Sequence, residues 1–186
     1  MNVGTARISV PGVHPSAETL EHLLSEHGNR VYQLAYCLTR SGADAEDILQ
    51  EVFFKLHRNW VHVCACQNLP AWITRVVTNC AIDLLRSRKT RAESADPESL
   101  ARLAGSADSP SRGLEERELE QKVRSALDTL PPHEMAALVL FGHQGIKSKE
   151  VGRILGVSEG TVRRYVFQAR QKLKELLTPY LGGDHP

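Results

Sequence analysis

An apolar residue recurs every three or four positions through most of this 186-residue chain, and this spacing constrains the fold more than any other feature. Val31, Leu34 and Leu38 follow it in the first half, and the run from Val162 to Leu176 follows it in the second. Side chains at such intervals lie on one face of an α-helix, whereas a half-buried strand requires strict alternation, which we do not find. The spacing therefore predicts an all-α protein.

Residues 92–113 interrupt the pattern, because they are rich in Ala, Ser, Asp, Gly and Pro and contain no β-branched or aromatic residue. A stretch this long exceeds a usual loop within a domain, so it predicts a flexible linker between two small helical domains. The predicted organisation is a flexible N-terminal arm (1–15), a first helical domain (16–91), the linker (92–113), a second helical domain (114–178) and a C-terminal tail (179–186).

Four local expectations follow for the first domain. Gly28 is expected to interrupt the first helix, and the stretch from Trp60 to Asn68 has no clear period and is expected to be a loop. Trp72 opens an apolar stripe and is expected in the core. Asp83 lies among basic residues on the same predicted helix and is expected to pair with a neighbouring arginine.

Composition excludes several classes of protein. The 23 Lys and Arg nearly balance the 22 Asp and Glu, so the global charge of +1 predicts neither nucleic-acid nor membrane binding. No apolar stretch has the length of a transmembrane helix or a signal peptide, which predicts a cytoplasmic protein with free thiols. Phosphate-binding, zinc-protease and nucleophile-elbow motifs are absent from the sequence, so we expect neither an enzyme nor a bound cofactor.

One cluster of soft ligands leaves an alternative open. His62, Cys64 and Cys66 occupy alternate positions, a spacing that suits zinc or a thiol switch. A structural zinc site usually needs four well-spaced ligands, and no second cysteine pair accompanies these residues. The pattern favours ordinary thiols and makes the three residues only a weak metal candidate.

Residues 147–173 carry the strongest local motif, which is typical of a helix-turn-helix. Gly152 provides the small residue needed where one helix crosses the other, and Gly156 tolerates the positive φ of the turn. Ser158 is a plausible N-cap for the second helix. Between Lys147 and Glu175 there are eight Lys and Arg but three Asp and Glu, which suits a helix in a DNA groove. An ordinary helical hairpin with a basic surface is the alternative.

Both halves of the chain resemble one family. The sequences DAEDILQEVFFKLHR (44–58) and LPAWITRVVTNCAIDLLRSRKTR (69–91) are similar to region 2 of bacterial sigma factors, and residues 114–177 resemble region 4. Since no further domain separates them, the chain resembles the extracytoplasmic-function (ECF, group 4) sigma factors of the sigma-70 family. The resemblance implies a dissociable subunit that directs core RNA polymerase to promoters, recognises their −35 and −10 elements, and helps to melt the −10 region.

The resemblance also implies partners and sites. An acidic surface would bind the β′ clamp helices of RNA polymerase. A compact negative patch suits a basic partner. The alternative is that these acidic residues only stabilise the start of a solvent-exposed helix. Contacts with the β subunit and with promoter DNA are implied as well. The residues implied in polymerase binding are Asp44, Asp47, Gln50, Glu51 and Phe54.

Two further sets of residues are implied in DNA binding. At the −10 element, a pocket would hold an unstacked base and cations would lie along the displaced strand. At the −35 element, the second helix of the helix-turn-helix would enter the major groove. The −10 set is Gln67, Asn68, Arg75, Asn79, Arg86, Arg88, Lys89 and Arg91; the −35 set is Ser158, Thr161, Arg163, Arg164, Gln168, Arg170 and Lys172. The stretch WVHVCACQN (60–68) is unusual for the family, so base preference at −10 does not transfer.

Control by an anti-sigma factor is the remaining expectation, since a free specificity subunit would compete for polymerase continuously. Such a partner would hold the protein in the cytoplasm, or at the inner membrane without direct insertion of this chain. Two other classes of protein are alternatives: a helix-turn-helix regulator that binds duplex DNA without polymerase, and a helical enzyme or metal-binding protein. The second lacks any nucleophile–base constellation in the sequence.

Overall fold

The structure is a computed structural model that describes Pro15 and residues 17–94 and 114–181. Within these ranges the chain forms helices and no strand, which confirms the predicted all-α fold. The helices are α1 (Ala17–Thr39), α2 (Gly42–Arg58), α3 (Trp60–Cys64), α4 (Leu69–Ser94), α5 (Leu114–Asp128), α6 (Pro132–Ala137), a π-helix (Leu138–His143), α7 (Ser148–Leu155) and α8 (Glu159–Leu181). The predicted arm before Pro15, residues 95–113 of the predicted linker, and residues 182–186 of the predicted tail lie outside the described residues.

Helices α1, α2 and α4 form the first bundle around the apolar stripes seen in the sequence. Leu38 of α1, Val52 and Leu56 of α2, and Val77 of α4 are almost completely buried there. Trp72 is half-buried and packs against this core, as predicted. None of the described helices is long and apolar enough to cross a bilayer.

The predicted break at Gly28 was wrong, because α1 continues through this residue. A glycine inside a helix costs only about 1 kcal/mol relative to alanine. Leu23 and Val31, which flank it on the same helix, are both buried. Their burial keeps the helix intact where the local preference would end it.

The stretch from Trp60 to Asn68 also differs from the prediction, since its first five residues form the short helix α3. The carbonyl oxygen of Asn59 accepts hydrogen bonds from the backbone N–H groups of His62 (2.9 Å) and Val63 (3.0 Å). Val63 is buried against the first bundle and fixes this turn. A single helical turn is too short to display an apolar period, so the sequence could not reveal it.

The second bundle contains the predicted helix-turn-helix in α7 and α8. A Cβ atom on Gly152 would lie 2.8 Å from the carbonyl oxygen of Val157, which confirms the close crossing. Gly156 has φ +69° in the turn, and the hydroxyl of Ser158 accepts a hydrogen bond from the backbone N–H of Thr161 at 3.1 Å. Val162 of α8 is fully buried in the shared core. All three predicted roles in this motif are therefore confirmed.

The two bundles also touch each other. Helix α4 of the first bundle packs against α6 and α7 of the second. Arg40, at the corner between α1 and α2, forms an ion pair with Asp128 at the end of α5. The sequence predicted a linker between the bundles but no contact between them.

Candidate polymerase and promoter interfaces

One exposed stripe runs along α2. Asp47, Gln50, Glu51 and Phe54 recur at steps of three and four, so they share a face of the helix, and all four are exposed. The Phe54 side chain is 55% exposed, and the guanidinium carbon of Arg58 lies 5.7 Å from its ring centroid. An exposed aromatic ring beside two carboxylates is a surface suited to a basic protein partner. We call these four residues the α2 surface.

Asp44 does not belong to the α2 surface, although the family resemblance implied it in polymerase binding. It lies in the first turn of α2, is only 6% exposed, and accepts a hydrogen bond from Arg88 of α4. Its backbone N–H is bonded to the cap residue Ser41. The carboxylate thus stabilises the helix start and ties α2 to α4, and it engages one of the cations implied in −10 binding.

The residues implied in −10 binding are distributed along α4 and the segment before it. Arg75, Asn79 and Arg86 are exposed and follow one another at helical intervals on a single face, which we call the α4 surface. Asp83 lies between them, 4.0 Å from Arg86, so the predicted pairing with a neighbouring arginine is confirmed. Lys89 and Arg91 are also exposed, near the C-terminal end of the helix.

Gln67 and Asn68 precede α4 and are both exposed. The side-chain oxygen of Asn68 accepts a hydrogen bond from the backbone N–H of Ala71 at 3.0 Å. This bond caps the first turn of α4. Gln67 is therefore the freer of the two to read a base edge.

The weak metal candidate sits beside this segment. Cys64 is exposed, Cys66 is half-buried, and both are free thiols. Across residues 17–94 and 114–181, no group of three His, Cys, Asp or Glu side chains is arranged to hold a metal ion.

The residues implied in −35 binding lie on α8, and most of them share an exposed face. Arg163 and Arg164 are followed one or two turns later by Gln168 and Arg170, and these four form what we call the α8 surface. Arg163 donates to the carboxylate of Glu159 at 2.5 Å, and the hydroxyl of Ser148 donates to the same oxygen at 2.8 Å. These hydrogen bonds, Ser148 first, hold the pKa of Glu159 below its ordinary value. The carboxylate of Glu159 thus gives Arg163 an ion-pair partner one helical turn away, although the arginine remains 73% exposed.

Lys172 occupies a different position from the rest of its predicted set. Its ammonium group donates to both carboxylate oxygens of Glu134, at 2.9 and 3.1 Å. Glu134 lies in the first turn of α6 and is buried, so Lys172 neutralises a charge inside the bundle. This contact gives Lys172 a structural role and removes it from the α8 surface.

The comparisons with known proteins agree with both halves of this arrangement. Residues 23–91 match the sigma-70 region 2 family, and residues 120–173 match the sigma-70 region 4 family. The chain is 33% identical over 177 residues to the ECF RNA polymerase sigma factor SigE of Mycolicibacterium smegmatis, with 95% of this chain and 68% of that protein covered. This chain belongs to the ECF sigma factors. It is also 31% identical over 157 residues to SigM of Mycobacterium tuberculosis, covering 84% of this sigma factor and 76% of the relative.

Two solved structures share the fold of this sigma factor. One is the sigma factor RpoE in complex with the anti-sigma factor NepR from Bartonella quintana, with a TM-score of 0.62, 24% identity, and coverage of 85% of this chain and 96% of that one. The other is CnrH in complex with the cytosolic domain of CnrY, with a TM-score of 0.61, 22% identity, and coverage of 89% and 91%.

An exposed aromatic side chain lies beside the α8 surface. Phe167 is 61% exposed and lies four positions after Arg163 and three after Arg164. A single exposed apolar residue is normal on a protein surface, so its spacing alone assigns it no role. The bond between Glu159 and Ser148 depends on how α7 crosses α8, and it cannot be inferred from the sequence.

Proposed function

We propose that this sigma factor binds core RNA polymerase through the α2 surface and directs initiation at promoters read by the α4 and α8 surfaces. The observation that carries this proposal is the separation of charge between two helices of one chain. The α2 surface is acidic with an exposed aromatic ring, while the α8 surface is basic. A duplex-binding regulator needs only the second of these surfaces.

Binding to the β′ clamp helices is supported by the composition of the α2 surface. Asp47 and Glu51 provide negative charge one helical turn apart, and Phe54 provides apolar area on the following turn. Charge complementarity guides such an encounter, while an aromatic anchor of this kind dominates the affinity. A contact with the β subunit is part of the same proposal.

Recognition at −10 requires one strand to be separated and held. The cations of the α4 surface, Arg75 and Arg86, face solvent in a row that can follow the phosphates of a displaced strand. Asn79 between them offers both a hydrogen-bond donor and an acceptor to a base edge. Gln67 contributes a second amide at the start of the row.

Recognition at −35 is assigned to the α8 surface. The N-terminal part of a recognition helix contacts base edges in the major groove, and later cations contact phosphates. Arg163 and Arg164 occupy the first position, and Arg170 occupies the second. An arginine that is bidentate to guanine contributes about 1–3 kcal/mol of discrimination.

The test is transcription by core RNA polymerase from the source bacterium, with and without this protein, on a pool of genomic promoters. We expect specific transcripts that appear only when the protein is present. Asp47→Arg on the α2 surface is expected to abolish them, while Glu21→Arg, the same charge change on exposed α1, is expected to leave them unchanged. Duplex binding by the protein alone without any new transcript would instead support the stand-alone regulator.

We further propose control by an anti-sigma factor in the cytoplasm, or at the inner membrane if that partner is membrane-bound. Two proteins of the same fold were solved as complexes, one with an anti-sigma factor and one with a cytosolic domain. The test is affinity purification of this protein from its own host under several stresses. Recovery of a stoichiometric partner other than polymerase is expected, and recovery of polymerase alone in every condition would contradict the proposal.

A further inference from the structure

A thiol and an ammonium group meet where α2 packs against α4. The Nζ atom of Lys55 donates a hydrogen bond to the sulfur of Cys80 at 3.2 Å. The same ammonium group lies 3.3 Å from a carboxylate oxygen of Glu51, one helical turn earlier on α2. Lys55 therefore connects a residue of the α2 surface to a cysteine of α4. The proposed polymerase and promoter contacts use neither Lys55 nor Cys80.

Lys55 keeps its proton in this position. Burial alone would lower the pKa of its ammonium group, but the hydrogen bond and charge of Cys80, and then those of Glu51, outweigh burial and raise this pKa. An ammonium group has three donors, which is enough to serve both neighbours at once. A cation at this distance favours the thiolate over the thiol, and the thiolate is the nucleophilic form of cysteine.

The four cysteines of this chain differ in their surroundings. Within residues 17–94, which contain all four, only Cys80 has a lysine or arginine nitrogen at hydrogen-bond distance from its sulfur. Burial raises the pKa of Cys37, so this half-buried thiol resists ionisation. Cys64 is exposed, whereas Cys80 is half-buried. Exposure and a neighbouring cation are thus separated in one molecule, in Cys64 and Cys80 respectively.

We propose that Cys80 is a site of oxidation by hydrogen peroxide or a small organic hydroperoxide, and that Lys55 stabilises the reactive thiolate and links the product to the α2 surface. The thiolate attacks the terminal oxygen of the hydroperoxide, and an S–O bond forms as the O–O bond breaks. The departing hydroxide or alkoxide takes up the proton that the thiol released. Thiol and hydroperoxide thus become sulfenic acid and water or alcohol, with two electrons passing from the sulfur to the peroxide.

Oxidation changes the surroundings of Glu51, and this consequence rests on the proposed function. An oxygen on the sulfur is a better hydrogen-bond acceptor than the sulfur itself, so the ammonium group of Lys55 shifts towards it. Glu51 then loses part of its pairing and presents more negative charge to a basic polymerase surface. Because an exposed ion pair contributes little, the expected gain in affinity for polymerase is about twofold to threefold.

Trapping of sulfenic acid tests the site on the unmodified full chain. The protein is treated with hydrogen peroxide at neutral pH in the presence of dimedone, and mass spectrometry of its peptides gives a labelling rate for each cysteine. We expect Cys80 to be labelled about tenfold faster than the exposed Cys64. In urea the ammonium group leaves the sulfur, and the two rates should converge. A folded chain in which Cys64 reacts as fast as Cys80, or faster, would overturn the proposal.

Substitutions at Lys55 separate the effect of charge from that of packing. Lys55→Met removes the charge and keeps most of the side-chain length, so labelling of Cys80 should slow about tenfold while that of Cys64 stays unchanged. Lys55→Arg keeps a cation and should retain most of the wild-type rate, which a role in packing alone does not predict. Arg30→Met, at an exposed position of α1, is the control and should match the wild type.

An unchanged Cys80 rate in Lys55→Met would overturn the role of Lys55. If Lys55→Met fails to fold, the comparison of Cys80 with Cys64 in the wild type decides, because it needs no substitution.

Binding to core polymerase separates this inference from the proposed function. Protein oxidised at Cys80 and freed of peroxide should bind about twofold to threefold more tightly than reduced protein, and Cys80→Ser should show no such difference. Equal affinities of the two wild-type forms would overturn the link to the α2 surface. Fast oxidation of Cys80 in a chain that does not bind polymerase would uphold the oxidation site and contradict the proposed function. Polymerase binding with slow oxidation of Cys80 would do the reverse.

Discussion

The two bundles differ in how completely they pair a buried carboxylate. Each places a carboxylate in the first turn of a helix and pairs it with a cation from a later helix: Asp44 with Arg88 in the first bundle, and Glu134 with Lys172 in the second. Both oxygens of Glu134 accept hydrogen bonds from Lys172. In Asp44 the Oδ2 atom is buried without a partner among the described residues. The second pair is complete, whereas the first leaves Arg88 easier to exchange for another ligand.

The largest effect should come from breaking the complete pair. Glu134→Ala removes both hydrogen bonds to Lys172, whose side chain is 42% exposed and regains water, so we expect the free energy of unfolding to fall by about 2 kcal/mol. Asp44→Ala should cost about 1 kcal/mol, because Arg88 is half-exposed and regains water and because Ser41 still caps the helix. Urea unfolding followed by circular dichroism measures both. An Asp44 variant as unstable as the Glu134 variant would show that the two pairs are equivalent.

Two glycines, one in each bundle, should differ in how replacement by alanine changes stability. Gly152→Ala in the second bundle places a methyl group 2.8 Å from a backbone oxygen, and we expect a loss of about 2 kcal/mol. Gly28→Ala in the first bundle meets only the end of the half-exposed Leu24 side chain, at 3.0 Å. That side chain can move, so a gain of about 0.5 kcal/mol is expected from helix propensity. Thermal unfolding of the two variants should move in opposite directions.

These glycines also show what the sequence could and could not predict. The role of Gly152 was predictable, because a helix-turn-helix fixes where two backbones approach. The break predicted at Gly28 was wrong because propensity is local, whereas the continuity of α1 is supported by the burial of Leu23 and Val31 in the folded chain. Helix α3 was missed for a related reason, since one turn anchored by Val63 has no detectable period.

The candidate surfaces were predictable where periodicity alone determines exposure. Asp47, Gln50 and Phe54 are three or four positions apart, so they lie on one face of the helix regardless of how the rest of the chain packs. The ion pairs of Asp44 and Lys172 were not predictable, because their partners come from distant positions, 44 and 38 residues away. The contact of Arg40 with Asp128 was equally hidden, because nothing local at Arg40 marks its partner in the second bundle.

Lys172 and Arg164 should differ in DNA binding. Arg164→Ala is expected to weaken binding of polymerase holoenzyme to its −35 element by about 1–3 kcal/mol. To test Lys172 without leaving a buried charge, Glu134→Leu and Lys172→Met are combined, since well-packed apolar residues can replace a buried pair. The double variant should bind within about twofold of the wild type, which corresponds to less than 0.5 kcal/mol. A loss equal to that of Arg164→Ala would return Lys172 to the α8 surface.

The smallest effect expected is a pH dependence of stability at His133, where α6 meets α4. Burial lowers the pKa of this imidazole from its usual 6.5, and the facing Arg86 lowers it further, while Asp83 on α4 opposes them and Tyr165 of α8 meets the ring edge-on. In the unfolded chain the pKa returns towards 6.5, so the unfolded chain binds a proton more readily. The contribution to the free energy of unfolding is therefore complete above pH 6.5 and declines as the pH falls through 6.5 towards the depressed pKa. Urea unfolding at several pH values should show this decline in the wild type and less of it in His133→Gln, while the exposed His62→Gln control should follow the wild type. An identical profile in all three proteins would show that the protonation of His133 does not affect stability.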